Sequence, residues 1–332
     1  MLVLSLVALS LLPAGLLYQA VASAADRRRY PPPGILIDIG TRRLHCRCEG
    51  SGSPPVIFES GVAASSINWT LVQAEVGRLT RTCSYDRAGL AWSDALRDRR
   101  TAEGLMEDLR VVIERCTGTD PVVLVGHSFG TFIVRGFAAC HPDKVAGLVF
   151  VDPISPSEWI AMSAAQRRML QGGVLFSRIG AMLARVGVVR ACLSLLAGGR
   201  TAVPRAVARG FGGEALRVLT NLIGEVQKMP AEMLPVIRAH WSQPKSFSGM
   251  AAYLACLPAV AADVAGAHVP AEIPVTVLSA GDLDPAMLAE HAALARASRD
   301  GRHIVAEHCG HWIQLDEPDL VVRAIRPMVD GR

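Results

Sequence analysis

The sequence predicts an α/β fold with a mainly parallel sheet that is interrupted, after its sixth strand, by a mostly helical insertion, which we call the cap. Short apolar runs alternate with helical patterns along residues 35–153, which is typical of a parallel sheet covered by helices. Strand-like runs then stop at Pro153 and resume at Val275–Leu278. The residues between them are rich in Ala, Leu, Met and Arg at helical spacing, which predicts the cap.

The predicted strands start with an opening pair and continue as buried apolar runs. In chain order they are Ile35–Ile39, Leu44–Cys48, Val56–Phe58, Arg81–Tyr85, Val122–Val125, Val145–Val151, Val275–Leu278 and His303–Val305. Between them, helices are predicted over Trp69–Leu79 and Phe129–Ala139, and over a segment whose apolar positions share one face (Leu105, Leu109, Val112, Ile113, Cys116). A final helix is expected from Leu320 to Arg326.

Composition limits the class of protein. The chain has 332 residues, of which 51% are hydrophobic, so it can bury a large core and is not disordered. A net charge of +4 is too small to indicate a nucleic-acid partner. Eight arginines and no acidic residues lie between Trp159 and Gly213, so the basic character belongs to one segment. We divide the chain into a hydrophobic segment (1–25), a basic, Pro-rich linker (26–34), the sheet core (35–153 and 269–332) and an Arg-rich helical cap (154–268).

The N-terminal segment predicts a membrane anchor. Met1–Ala25 carries no charged side chain and is followed by Asp26 and Arg27–Arg29. About 20 helical residues cross the hydrocarbon core of a bilayer, so the length is suitable. Ala22–Ala24 also fits a signal-peptidase site, which would give a secreted or periplasmic protein, and a core helix is a third possibility. If Met1 is the true start, the arginines place the domain in the cytoplasm, but an upstream start could reverse this orientation.

The eight cysteines do not predict a metal site. Cys46 and Cys48 share one face of a strand, but no second Cys or Cys/His pair at zinc spacing completes a tetrahedral site in the sequence. We expect most of the eight to be small, buried, reduced residues, and the sequence leaves disulfides open.

A hydrolytic site is predicted from the end of the fifth strand. Gly126–Gly130 has the sequence Gly-His-Ser-Phe-Gly, and a serine becomes a nucleophile when a tight strand-to-helix turn holds it near a base. We predict Ser128 as nucleophile, His311 after the last strand as base, and Asp284 after the penultimate strand as acid. Asp282 is an alternative acid. The oxyanion donors are predicted to be the amides of Phe129 and Val62. Asp86 and Arg87 are expected to form a structural network beside this site.

These residues resemble the α/β-hydrolase superfamily, in particular bacterial membrane-anchored members. The resemblance covers about 30–155 and 270–330, and its landmarks are Phe58–Gly61, Tyr85–Ser93, Gly126–Gly130, Val151–Pro153 and Gly310–His311. The resemblance implies a doubly wound sheet, a helical cap inserted after the sixth strand, and no cofactor or metal. It also allows Asp152 as a further alternative acid. Ala63 and Ala91 replace frequent glycines, and Ser60 stands where many relatives have histidine.

The expected activity is that of a serine hydrolase acting on an apolar carboxylic ester or lipid-like substrate through an acyl-enzyme. A serine nucleophile argues against the dehalogenase and epoxide hydrolase reactions that the resembled fold performs with an aspartate. Acyltransferase, amidase, lactonase and haloperoxidase-like activities stay open, as does a non-catalytic binding module at a membrane. Arg178 and Arg185 lie seven residues apart on one helical face. That face is expected to be a solvated basic surface of the cap, and contact with anionic lipid headgroups is the alternative interpretation.

Overall fold

The computed structural model describes residues 2–198, 224 and 226–330, and all eight predicted strands lie in one sheet. They are β1 (Ile35–Asp38), β2 (Arg43–Glu49), β3 (Val56–Glu59), β4 (Thr82–Tyr85), β5 (Val122–His127), β6 (Val145–Val151), β7 (Val275–Ala280) and β8 (Arg302–Ala306). Their order in the sheet is β1-β2-β4-β3-β5-β6-β7-β8.

The strand directions put the ends of the central strands at one edge. β1, β2 and β4 pair in antiparallel fashion, whereas every pair from β4–β3 through β7–β8 is parallel. The register between β5 and β6 places the strand ends next to each other, because His127 lies opposite Val151. Ser128 and Asp152, the next residue of each strand, therefore leave the sheet side by side.

Twelve helices are described. They are α1 (Leu2–Arg29), α2 (Thr70–Val76), α3 (Ala102–Thr117), α4 (Gly130–Cys140), α5 (Pro156–Ile160), α6 (Ala164–Arg185), α7 (Val188–Ala197), α8 (Leu234–Trp241), α9 (Pro244–Ala265), α10 (Pro285–Arg296), α11 (Ile313–Asp316) and α12 (Pro318–Val329).

Both faces of the sheet are covered. One face packs against apolar residues of α3, α4 and α9, and the other against those of α2 and α12. The central parallel strands β5, β6 and β7 are buried on both faces, which is why their sequences are continuous apolar runs. The predicted doubly wound α/β fold is confirmed.

The described residues between β6 and β7 form the helices α5 to α9 and contain no strand; 199–223 and 225, which belong to the predicted cap, lie outside the described residues. Among the described residues, α9 is long and apolar enough to span a membrane, but half of its apolar stretch is buried, as in a core helix. The helices α6 and α7 are long and apolar enough to span a membrane only if they are counted as one segment, and they are bent by 91° at the break between them.

The C-terminal half of α1 packs on the cap. Gln19 is 5% exposed and donates a hydrogen bond to the Ser242 carbonyl at 2.8 Å. Arg190 of α7 forms an ion pair with Asp26 and donates to Gln19 Oε1 at 3.0 Å. Gly15 lies so close to the Val186 carbonyl that a Cβ would clash at 2.5 Å. Residues 15–26 are thus joined to the cap by polar and close backbone contacts.

The contact between cap and core contains a buried histidine. The His240 ring of α8 lies edge-on to Trp92 at 4.5 Å, and neither ring nitrogen has a hydrogen-bond partner among the described residues. Burial lowers its pKa from 6.5 to about 4, and nearby Lys245 adds to the effect while Asp86 opposes it.

We expect His240 to make stability fall with acidification. Between pH 6.5 and 4 the unfolded chain binds the proton and the folded chain does not, so stability present above pH 6.5 is lost as the pH falls. Lowering the pH from 7.5 to 5 should lower the free energy of unfolding by about 2 kcal/mol through this residue. His240→Phe keeps the ring contact and should remove that pH-dependent loss in urea unfolding at the two pH values. The exposed His308→Gln is the control and should retain it; equal pH dependence in His240→Phe and wild type would refute the assignment.

Candidate active site

Ser128 occupies a sharp turn between β5 and α4. Its φ is +52°, in the left-handed region, and its amide donates to the Val151 carbonyl at 3.1 Å. A Cβ on Gly126 would lie 2.8 Å from a Val134 methyl, and one on Gly130 would lie 2.6 Å from the Glu59 carbonyl. The two glycines are therefore required for the strand, the helix and the neighbouring β3 loop to approach this closely.

His311 is paired with Asp152. His311 lies in the loop between β8 and α11, and its Nδ1 is 2.6 Å from Asp152 Oδ2. The other carboxylate oxygen, Oδ1, accepts from the Ala280 amide at 2.9 Å. Asp152 is 4% exposed and has a φ of +42°, which turns it back over the end of β6. A buried carboxylate with both oxygens hydrogen-bonded fixes the orientation of the imidazole.

The predicted pairing of Asp284 with His311 is wrong. Asp284 is the N-cap of α10 and is exposed, and its Oδ1 accepts from the Met287 amide at 2.9 Å. Asp282, the first alternative, is also exposed in the turn after β7. The second alternative, Asp152, is the carboxylate that pairs with His311. The dipeptide Asp284-Pro285 is a helix start signal, since Asp favours the N-cap and Pro the first helical position, and this signal in the sequence favoured a capping role.

The loop after β3 lies beside the serine, as the oxyanion prediction requires. A Cβ on Gly61 would be 3.4 Å from Ser128 Cβ, so Val62 follows at the edge of the same turn. Within the described part of the chain, neither the Val62 nor the Phe129 amide donates to a protein acceptor. Free amides close to a nucleophilic serine can stabilise a developing oxyanion.

A buried ion pair holds that loop. Arg87 is paired with Glu59 and donates to the carbonyls of Ser60 and Gly61, and the Tyr85 hydroxyl donates to Glu59. Burial raises the pKa of Glu59 against the opposing effect of Arg87. The predicted structural role of Arg87 is confirmed. Glu59, Arg87 and Tyr85 stabilise the loop together, because loss of one partner of a buried ion pair leaves an uncompensated charge.

Ser60 and Ala91, two of the residues that differ from the resembled family, are accommodated by the local structure. Ser60 accepts from Trp69 Nε1 and donates to the Ser65 carbonyl, both at 3.0 Å, so its hydroxyl ties the loop to the following helical turn. Ala91 adopts a φ of +35°, which is a conformation that glycine adopts with less strain. Asp86 accepts from the Ser66 amide and from His45, which confirms its predicted structural role.

His127 is a site residue that the sequence analysis missed. Its ring lies 4.7 Å from that of His311, and its Nε2 is 2.8 Å from the His311 carbonyl. Since a carbonyl only accepts, Nε2 carries a proton. Burial, followed by the charge of His311, lowers the pKa of His127 well below its usual value. His127 therefore supports His311 from below as an uncharged ring.

Apolar side chains flank the site. Trp312 directly follows His311 and lies 5.2 Å from His127. It packs in a small cluster that joins Ile67 and Leu315 of the core to Met229 and Met233 of the insert. On the other side Val62, Ile154 and Trp159 pack partly exposed against the main core. The surroundings of Ser128 thus suit an apolar ligand.

A serine on a strand-to-helix turn, a histidine–carboxylate pair and a doubly wound sheet define a hydrolase fold with its site at the carboxyl edge of the strands. A sequence profile of the alpha/beta hydrolase family matches residues 56–324. The chain belongs to that family.

Relatives in this family differ in their reactions. The 2-(acetamidomethylene)succinate hydrolase of Mesorhizobium japonicum is 24% identical over 303 residues, covering 89% of this chain and 94% of that protein. A haloalkane dehalogenase of Sphingobium indicum is 29% identical over 140 residues, covering 41% and 47%. The Cif epoxide hydrolase structure from Acinetobacter nosocomialis superposes with a TM-score of 0.67 at 14% identity, covering 95% and 96%. That structural likeness shows the fold alone.

The chain spans between 18% and 46% of the length of four other curated relatives that it matches. What those proteins do as a whole is therefore not transferable to this chain by similarity.

Proposed function

We propose that the protein is a serine hydrolase that cleaves an apolar carboxylic ester through an acyl-enzyme. The observation that carries this proposal is the contact between His311 and His127, the residue directly before Ser128, together with the hydrogen bond from the His311 imidazole to buried Asp152. These are the nucleophile, base and orienting acid that acyl transfer requires.

The roles follow from the hydrogen bonds. Because Asp152 accepts from Nδ1–H of His311, the lone pair of the ring is on Nε2, where it can take the Ser128 proton. Ser128 Oγ then attacks the ester carbonyl, and the amides of Phe129 and Val62 stabilise the tetrahedral oxyanion. The imidazolium returns its proton to the leaving alcohol. Water, activated by the same His311, releases the acid.

The nucleophile separates this chain from the reactions named for two of its relatives. Dehalogenation and epoxide opening in this fold use an aspartate as nucleophile, and here that position is Ser128. A serine ester intermediate supports hydrolysis of esters and their transfer to other acceptors. An added alcohol that diverts product from the free acid would identify acyl transfer.

The membrane is the proposed site of action. Residues Leu12, Leu16, Leu17 and Val21 of α1 are exposed apolar side chains, followed along the helix by Arg27–Arg29. In α6, Leu175 and Met182 are also exposed, and Arg178 and Arg185 lie on the same helical face. Apolar residues interleaved with arginines suit the boundary between acyl chains and anionic headgroups. We propose that α1 anchors the protein there and that the substrate is lipid-like.

Two measurements test this function. A fluorophosphonate should label wild type on the tryptic peptide Cys116–Arg135, in which Ser128 is the sole serine. Hydrolysis of p-nitrophenyl esters should then rise with acyl chain length, and more steeply when anionic vesicles are added. Absence of labelling in folded protein would leave a non-catalytic binding module. Labelling with indifference to chain length and vesicles would keep the hydrolase and reject the lipid-like substrate.

A further inference from the structure

Four cysteines meet beneath the opening strands. Cys46 and Cys48 come from β2, Cys83 from β4 and Cys116 from α3, and their sulfur atoms all lie within 4.8 Å of one another. The sequence shows no second cysteine pair at zinc spacing for Cys46 and Cys48, but the fold brings two cysteines to them from distant positions. We call these residues the four-cysteine cluster.

One bond already exists in the cluster. Cys48 and Cys83 form a disulfide between residues that face each other across antiparallel strands. Cys46 and Cys116 are both buried, and their sulfur atoms are 2.9 Å apart, closer than unbonded sulfurs ordinarily approach. Cys46 is 3.7 Å from Cys48. The four sulfurs are thus arranged as two close pairs.

This pairing disfavours a metal centre. A tetrahedral Zn²⁺ site with Zn–S bonds of about 2.3 Å places every two sulfurs about 3.8 Å apart. Only the distance between Cys46 and Cys48, among those measured, is close to that value. Four thiolates would also need all four cysteines reduced, whereas two of them are bonded.

The chemistry of the second pair favours its oxidation. Cys46 and Cys116 share a hydrogen bond between their sulfur atoms, and this bond, assisted by the charge of Arg81, lowers the pKa of Cys116. A thiolate is the species that attacks a disulfide. Arg81 Nε also donates to the Cys116 carbonyl at 2.9 Å, which fixes the start of the peptide that leads to β5.

We propose that Cys46 and Cys116 form a second disulfide and that the domain therefore operates in an oxidising compartment. The Cys116 thiolate attacks one sulfur of a disulfide-bearing oxidant and expels the other as a thiolate. Cys46 then attacks the mixed disulfide at Cys116 and releases the second thiol. Two protein thiols lose two electrons and two protons, and the oxidant's disulfide becomes two thiols.

The proposed bond has structural and topological consequences. It joins β2 to α3 across a separation of 70 residues, beside the existing link from β2 to β4. Two disulfides in such a cluster are typical of proteins outside the cytoplasm. This argues for the extracytoplasmic orientation rather than the cytoplasmic one indicated by Arg27–Arg29.

Trypsin separates the four cysteines, which makes the pairing directly measurable. Cleavage after Arg43, Arg47, Arg81 and Arg115 puts Cys46, Cys48, Cys83 and Cys116 on four different peptides. Cells that express the full chain are quenched in acid, alkylated with N-ethylmaleimide in denaturant and digested without reductant. We expect a linked peptide pair of Leu44–Arg47 with Cys116–Arg135, in addition to the Cys48–Cys83 pair.

Variants check the same bond by stability. Cys46→Ser and Cys116→Ser should each free the partner thiol for alkylation and lower Tm by about 5 °C or more without reductant. With reductant, the difference from wild type should shrink. Cys140→Ser, an exposed free cysteine outside the cluster, should change neither readout.

Three results would overturn the proposal. Cys46 and Cys116 could both be alkylated in the quenched cells, or be linked to Cys48 and Cys83 instead of to each other. Elemental analysis could show one zinc per chain in the purified protein, with all four cysteines of the cluster reduced. None of these results bears on labelling of Ser128, so the proposed hydrolase activity stands or fails separately.

Discussion

Replacing Ser128 by alanine should lower kcat for p-nitrophenyl esters by about 10⁴-fold or more and abolish fluorophosphonate labelling. The serine supplies the only atom that becomes acylated in the proposed reaction, and alanine leaves the oxyanion donors without a nucleophile. Alanine is no larger than serine and can adopt the φ of +52° at this position, so the fold should survive with a Tm close to that of wild type.

A second serine provides the control for this experiment. Ser51 is exposed in the loop before β3, and Ser51→Ala should keep both turnover and labelling. Unchanged labelling of Ser128→Ala would show that another residue reacts, and the nucleophile assignment would have to be abandoned.

Asp152→Asn should lower kcat by about 10³- to 10⁴-fold. The Asn amide can still accept from Ala280, but its NH₂ group would face His311 Nδ1 and favour the tautomer that carries its proton on Nε2. That tautomer cannot take the proton of Ser128. Steady-state hydrolysis of the same ester measures the loss.

Asp284→Asn is the matched variant for this test. It makes the same chemical change one strand away, and Asn caps helices about as well as Asp, so α10 should keep its start. Activity of Asp284→Asn should stay within a few-fold of wild type. The reverse pattern, with Asp284→Asn inactive and Asp152→Asn active, would restore the acid predicted from sequence.

The sheet and two site residues were predictable because their signals are local. Each central strand is buried on both faces and is therefore a continuous apolar run, and Ser128 lies in a five-residue pattern directly after one of them. His311 was found by its place after the last strand. These features depend on neighbours in sequence, so they survive without any knowledge of tertiary packing.

The acid could not be chosen in the same way. Asp152 and Asp284 both follow strands, and β6 and β7 are adjacent in the sheet, so position alone leaves them equivalent. The choice depends on backbone conformation, since Asp152 turns back at a φ of +42° whereas Asp284 is engaged at the start of α10. The contacts of His127 and those within the four-cysteine cluster likewise join residues that are distant in sequence. No local sequence pattern indicates these contacts.

The packing of α1 against the cap has a mechanical consequence. Gln19 and Asp26 hold Arg190 of α7, so residues 15–26 and the cap helices are tied into one body. A helix held in the bilayer would then hold the cap beside the membrane surface, and because α9 of the cap also packs on the sheet, the catalytic residues would be kept at a constant distance from the bilayer.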